Sequence, residues 1–445
     1  MSDFYNIVWL YISTILSSII GFSIFLILSK NLSIKDFGSY SNFINLVITL
    51  TYLLDFGISN IAWKKISENK KNFSKVFWFS TVFYSLVSIF FLLISYLFNN
   101  LFIFITVFFS LFSNLFRAFL YGLKRMKEIA ISENLSYFLK LLILLIFLKN
   151  LNLEIVYLSI FLHLFSSLLL RILLLKEIKN AIKFFVFKMD ITLSFLVSSY
   201  LLTILPILYS NFSISFFSYF FGKETAAIIY FAYSITVAVL SISSPFYSAL
   251  LPTISKNPKK EYINFTFKFS IFLQLFLFII LIIFLKEVIF LINKEYLQFF
   301  YKILVLTFSF LFLAVSSVLN SISYALNKHK EIIVSEAITN ILLFSTSFFL
   351  NIFSFFLSFL LRFFIYLNFL KKIINKKILL LFLILIFSPI FLIENFYIKV
   401  FLTIFGFFIF IIIVKKLKVF EKKDKKTLKE LRFPKIFVQI FSKIF

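Results

Sequence analysis

Cysteine is absent from the 445 residues, glycine and proline occur six times each, and histidine occurs twice. Each shortage excludes something. Without thiols there is no disulfide framework and no thiolate metal site, and His163 and His329 alone do not make a histidine metal centre. Six glycines leave little material for a phosphate-cradling loop, and no Gly-x-x-x-x-Gly-Lys-Ser/Thr run occurs, so no ATP-hydrolysing domain is encoded here. Acidic residues are scarce as well: 19 Asp plus Glu face 45 Lys plus Arg, for a net charge of +26. Such a balance first suggests nucleic acid. The basic residues, however, sit mostly in short loops between long apolar runs, which excludes nucleic acid as the partner and turns the argument to membranes.

Hydrophobic residues make up 62% of the chain, charged residues 14%, and the mean hydropathy is +1.04. No soluble domain has that composition, so the fold expected is an all-α integral membrane protein. The 72 Phe, with abundant Ile, Lys and Asn, read as the product of an AT-rich genome rather than of selection for stacking. The N-terminus lacks a basic region and a small-residue cleavage site before its first apolar run, so the first span is expected to be retained.

A span needs roughly 20 apolar residues, and about fourteen can be placed. The first six run 5–29, 40–62, 76–98, 101–122, 135–149 and 154–175, and form an N-lobe over 1–175. A basic linker follows at 176–190. The next six run 191–211, 225–251, 266–285, 299–322, 335–350 and 352–370, giving a C-lobe over 191–377. An extra hairpin, 378–393 and 400–414, closes the membrane part at 378–414, and a basic tail occupies 415–445. Loops after even-numbered spans carry two to five Lys or Arg each and the tail carries eleven, whereas those after odd-numbered spans carry at most two. Basic loops stay in the cytoplasm, so both termini are expected there. No outer loop exceeds about thirteen residues, too short for a catalytic domain on that side. The linker 178–188 and the end of the tail, Pro434 to Phe445, have the pattern of surface-lying amphipathic segments on anionic lipid.

The chain also writes one stretch twice. Tyr121 to Glu133 recurs as Tyr324 to Glu336, 203 residues on, with seven of thirteen positions identical. Lys127, Glu128, Ser132 and Glu133 return as Lys330, Glu331, Ser335 and Glu336, and polar matches are hard to obtain by chance in so apolar a chain. Two six-span bundles in tandem follow, in parallel orientation because six spans return the chain to the side it started from. Both copies fall in corresponding turns, where Ser132 and Ser335 are expected to cap the next helix.

The stretch Leu32-Ser33-Ile34-Lys35-Asp36-Phe37-Gly38-Ser39-Tyr40, followed by Asp55-Phe56-Gly57-Ile58, resembles the bacterial polysaccharide and O-antigen flippases of the multidrug/oligosaccharidyl-lipid/polysaccharide exporter superfamily. Tyr230-Phe231-Ala232-Tyr233 and Leu251-Pro252-Thr253-Ile254-Ser255 are similar in the second half. The resemblance implies a transporter without cofactor or enzymatic activity. It would move an undecaprenyl-diphosphate-linked oligosaccharide from the cytoplasmic to the outer leaflet of the bacterial inner membrane by alternating access. Its partners would be lipid-linked oligosaccharide, membrane lipids, H+ or Na+, and polysaccharide polymerase and chain-length proteins. The competing readings are a cation-coupled drug exporter, which would carry more embedded acids, and a polysaccharide polymerase or ligase, which would need a large outer loop.

Charged side chains inside a bilayer are costly, roughly 2.5–3.5 kcal/mol each on insertion scales, and mark pathways or partners. Arg117, Lys140 and Arg362 are the expected ligands of the diphosphate, since a guanidinium offers two parallel donors to phosphate. Asp55 is expected as a partner or coupling-ion site, and His163 as a hydrogen-bonded interior residue. In the 203-residue alignment Arg117 faces Asn320 and Lys140 faces Leu343. Three of the six prolines, Pro206, Pro245 and Pro252, fall in spans 7 and 8. These spans are the expected bending elements for gating.

Overall fold

The computed structural model describes residues 2–97, 101–183, 193–240, 259–371 and 376–416, together with 419, 420, 424 and 427. Among these residues every regular element is a helix, as the apolar runs require. A backbone in hydrocarbon has no water to bond, and a helix satisfies its own groups. Among the described residues, twelve helices are long and apolar enough to cross a membrane, and a bent pair makes a thirteenth. The expected span 13 includes a 3₁₀ helix, Lys376–Leu392, which is not among those helices.

Contacts divide the chain into two compact units, Met1–Tyr230 and Phe231–Phe445. In the first, α1 is Ser2–Asn31, α2 Ile34–Asp55, α3 Ile58–Glu68, α4 Phe73–Leu97, α5 Leu101–Gly122, α6 Met126–Ile146 and α7 Leu153–Leu174. The short α8, Ile178–Lys183, lies in the linker. Span 7 follows as α9, Leu193–Ile207, a π-helical turn Leu208–Phe212, and α10, Ser213–Phe221; α11, Lys223–Leu240, begins span 8. In the second unit, α12 is Lys260–Ile283, α13 Leu285–Ile292, α14 Phe300–Ala325, α15 His329–Leu350, α16 Phe353–Leu370 and α17 Phe396–Lys416.

The motif at residues 32–40 has a physical account. Ser33 caps α2, accepting from the Asp36 amide at 3.1 Å while donating to the Asp36 carboxylate at 2.7 Å. One turn on, Gly38 lies against the start of α11, and a Cβ there would stand 1.9 Å from the Lys223 carbonyl oxygen. Only glycine lets these two helices meet so closely. Phe37 and Tyr40 then pack on Tyr230, with ring centroids 5.7 and 5.9 Å away.

The Asp55-Phe56-Gly57 stretch ends α2. Phe56 and Gly57 both take left-handed conformations, φ 50° and 75°, and α3 leaves at 58° to α2. Span 2 is therefore a broken helix, where apolarity alone predicts a straight one. Asp55 serves the break: its carboxylate accepts from the Ser59 amide at 3.3 Å, from the Ser59 hydroxyl, and from Tyr84 of α4. α9 packs along the break, with Asn60 donating to Thr203 at 2.7 Å and Ser199 to the Gly57 carbonyl at 3.3 Å. These bonds group span 7 with the first unit.

The linker is anchored too. Trp78 Nε1 donates to the Ala181 carbonyl at 2.9 Å, and Arg125 bridges Glu128 and Glu177 at 2.9 and 2.8 Å. In the second unit Lys268 of α12 pairs with Asp424 at 3.0 Å beneath the Phe420 ring, and Lys399 of α17 pairs with Glu287 of α13. The end of the tail, Pro434 to Phe445, lies outside the described residues. Large apolar side chains along α17, among them Phe401, Phe408 and Ile412, are more than half exposed, as expected where the surroundings are lipid.

Candidate functional site

The repeat seen in the sequence resolves into two matching polar clusters inside the helices. Ser132 and Ser335 do not cap their helices. α6 starts at Met126 and α15 at His329, so both serines lie a turn and a half inside, fully buried. The cause is that Lys127-Glu128 and Lys330-Glu331 already belong to the first helical turn, which the loop reading excluded. The doublets Ser132-Glu133 and Ser335-Glu336 therefore project acids into the helix bundle.

In the first unit Glu133 receives Arg117 of α5, Nε to Oε1 at 2.7 Å, and Arg171 of α7, Nη2 to Oε1 at 3.5 Å. Arg171 Nη1 also donates to the Ser113 hydroxyl at 2.7 Å and the Ser113 carbonyl at 2.8 Å. In the second unit Glu336 receives Arg362 of α16, Nη2 to Oε1 at 2.6 Å, and Arg362 Nη1 donates to Ser316 at 3.1 Å. Tyr366 and Asn320 donate to the same Glu336 oxygen at 2.8 and 3.1 Å. Ser113 and Ser316 are 203 residues apart, as are Glu133 and Glu336. Each unit thus ties its fourth, fifth and sixth spans with one Ser–Arg–Glu cluster. Arg362 is 1% exposed and is taken up by this cluster, in which its counterpart is Arg171.

Against that shared frame the two units differ at two places. Arg117 occupies the position of Asn320, so Glu133 serves two arginines where Glu336 serves one. Arg117 keeps 38% of its side chain exposed while Arg171 keeps 6%. Lys140 occupies the position of Leu343. The buried basic side chains among the described residues are Lys140, Arg171, Lys268, Arg362 and Lys399. Four of them meet a carboxylate. Lys140, 5% exposed, meets the face of Tyr40 instead, its ammonium 5.6 Å from the ring centroid. A cation–π contact is worth up to about 2 kcal/mol when desolvated, less than the several kcal/mol that burying an ion costs. Among the described residues Lys140 is therefore a buried cation with no carboxylate beside it.

His163 packs on Tyr137 with ring centroids 4.5 Å apart, and its Nδ1 has no hydrogen-bond partner among the described residues. Pro206 lies inside α9, where the π-helical turn follows it and Ser210 donates to its carbonyl at 2.7 Å. That is the local loosening a proline imposes. Pro245 and Pro252 lie outside the described residues. Among those described, no three His, Cys, Asp or Glu side chains converge on a metal position.

Arg171 is not a candidate on sequence, and Glu133 and Glu336 stand there only as repeated letters, not as partners of arginines. Arg171 lies near the end of an apolar run and counts there as a flanking residue. Glu133 and Glu336 were in plain view as repeated letters, and their recurrence beside a repeated serine was the usable signal.

Residues 4–258 match the family described as polysaccharide biosynthesis protein. No curated protein matches the chain. Among solved structures it is similar to a lipid II flippase, MurJ, in an inward closed conformation, with TM-score 0.73 and 14% identity over 93% of this chain and 99% of that one. It is also similar to a multidrug resistance MATE family transporter of the MOP superfamily in an outward-facing conformation, with TM-score 0.59 and 12% identity over 84% and 96%. A MOP superfamily transporter from Pyrococcus furiosus gives TM-score 0.57 and 12% identity over 83% and 96%. The fold is that of the MOP transporters.

Proposed function

Since the chain belongs to the polysaccharide biosynthesis protein family, we propose that it is a flippase for undecaprenyl-diphosphate-linked oligosaccharide, carrying it from the cytoplasmic to the outer leaflet by alternating access. One observation carries the reading: the first repeat has Arg117 and Lys140 where the second has Asn320 and Leu343. The first copy of the repeated scaffold carries two cations that the second lacks, one of them buried with no carboxylate among the described residues. An anionic cargo compensates such charge, and a diphosphate matches it. Arg117 and Lys140 are then the diphosphate ligands. Arg362, held by Glu336 and Ser316, contributes by fixing α16 in place.

The remaining assignments complete the scheme. The protein is a multi-pass component of the bacterial inner membrane with both termini cytoplasmic. The N-lobe covers 1–175, the linker 176–190 and the C-lobe 191–377, and the extra hairpin 378–414 and the basic tail 415–445 complete the chain. Asp55, at the break in span 2, is the partner or coupling site for H+ or Na+, and Pro206, Pro245 and Pro252 supply the bending positions. Polymerase and chain-length proteins receive the product. A cargo with about two negative charges is driven outward by an inside-negative potential at roughly 2.3 kcal/mol per charge per 100 mV.

The test is reconstitution. Proteoliposomes loaded with a lipid-linked oligosaccharide diphosphate should expose it on the opposite leaflet, faster under a potential negative on the loading side. A rate no higher than that of protein-free vesicles removes the assignment.

A further inference from the structure

Trp63 is 45% exposed on a helix whose other face is closely packed, with Ile58, Ile61, Ala62 and Ile66 of α3 all at 0%. Gly122, at the end of α5, makes that packing possible. A Cβ on Gly122 would lie 2.7 Å from the Ile66 Cβ and 3.0 Å from the Trp63 carbonyl oxygen. Because α3 can lie this close, the Trp63 ring comes within 5.8 Å of the Tyr121 ring, tilted by 48°. One helical turn before Tyr121, the Arg117 guanidinium stands 5.5 Å from the centroid of the same ring. Trp63, Tyr121 and Arg117 form a ladder that continues, through Arg117, to Glu133.

The direction of Trp63 follows from helix geometry. At 100° per residue, it lies on the arc between Asn60, which bonds Thr203 of α9, and Ile66, which packs under Gly122 of α5. Its Cα therefore points between the directions taken by α5 and α9, and its ring packs beside Tyr121 of α5. It stands next to the basic stretch Lys64 to Lys75, which runs from the end of α3 into α4, and Tyr121 stands near Lys124, Arg125 and Lys127. The second repeat keeps the tyrosine, as Tyr324, but has Asn320 where Arg117 stands.

We infer that Trp63, Tyr121 and Arg117 form a receiving subsite for the sugar that adjoins the diphosphate, the ring stacking on the aromatic pair while the guanidinium holds a phosphate oxygen. A pyranose presents a face of C–H groups that packs on an aromatic face and leaves its hydroxyls free at the rim. A guanidinium one turn from that platform suits the anion attached to it. Glu133 holds Arg117 from the side, and Arg171 shares the negative charge of that carboxylate. The inference rests on the flippase reading and adds to it a contact for the sugar itself.

The experiment separates sugar from lipid. In a protein with Trp9→Phe and Trp78→Phe, Trp63 is the sole tryptophan, and its emission is followed while undecaprenyl diphosphate, with or without one attached hexose, is added in detergent. The glycosylated lipid should shift or quench the emission saturably, and the sugar-free lipid should not. Direct binding measured on Trp63→Leu should weaken about two- to tenfold for the glycosylated lipid and change less than twofold for the sugar-free one, with Trp63→Phe recovering most of the loss at unchanged thermal stability. If both lipids bind wild type and Trp63→Leu weakens neither, or both equally, the platform is overturned while the flippase reading stands. If neither lipid binds wild type, the platform and the reading beneath it fall together.

Discussion

Replacing Lys140 by leucine should make the protein more stable and less able to bind its anion. Lys140 is 5% exposed, and no carboxylate meets it among the described residues. Burying an ammonium costs several kcal/mol after relaxation, and the Tyr40 face, 5.6 Å from the charge, returns at most about 2 kcal/mol of that. Removing the charge should therefore stabilise the folded state by about 1–3 kcal/mol, the difference between those two effects. Leucine is the informative replacement because Leu343 occupies the equivalent place in the second repeat, fully buried, and Lys140→Met controls for side-chain length. The assay is thermal unfolding of the purified protein in detergent without lipid substrate. A midpoint that rises for both variants supports the account, and one that falls for both would mean that the ammonium already has a native partner, refuting the surplus-charge argument.

The paired cations should behave oppositely. Glu336→Ala strands Arg362 at 1% exposure and should cost about 3–5 kcal/mol, whereas Glu336→Met combined with Arg362→Met should be far milder; equal losses in the two variants would count against a buried ion pair. Gly38→Ala must displace the Lys223 backbone and should lower the unfolding midpoint by an amount corresponding to about 1–3 kcal/mol. Gly21→Ala, with nothing within 4 Å of the added atom, should be neutral or stabilising, so equal effects at the two glycines would argue against the α2–α11 approach. Arg117→Ala removes an ion pair that is 38% exposed on the arginine side and should change stability by less than about 1 kcal/mol while reducing lipid binding. A large loss of stability would make Arg117 a structural residue.

Much of this architecture could be read from letters alone, because hydrocarbon leaves the backbone few options and apolar length counts the spans. The 203-residue repeat likewise located equivalent helices correctly. What stayed hidden was local. The break at Phe56-Gly57 depends on two left-handed residues and on Asp55 bonding Ser59 and Tyr84, whereas a count of apolar residues over a whole span does not show where a helix bends. Glu133 and Glu336 were visible as repeated letters but were placed in a turn, since a charged residue next to Lys-Glu reads as loop until the helix start is known. Arg362 was identifiable as a membrane-embedded charge. Its partner came from another span 26 residues earlier, a pairing set by packing rather than by spacing. Arg171 reaches its cluster from a different register than Arg362 does, 191 residues apart instead of 203, so the alignment alone could not equate them.

In the proposed mechanism the charge by which the first repeat exceeds the second carries the cargo. Writing the second repeat into the first, as Arg117→Asn with Lys140→Leu, tests it with residues the fold already accommodates. In proteoliposomes matched for protein content, translocation of a lipid-linked oligosaccharide diphosphate by this variant should fall at least tenfold, with an unfolding midpoint no lower than that of wild type. Translocation at the wild-type rate by a folded double variant would contradict the account.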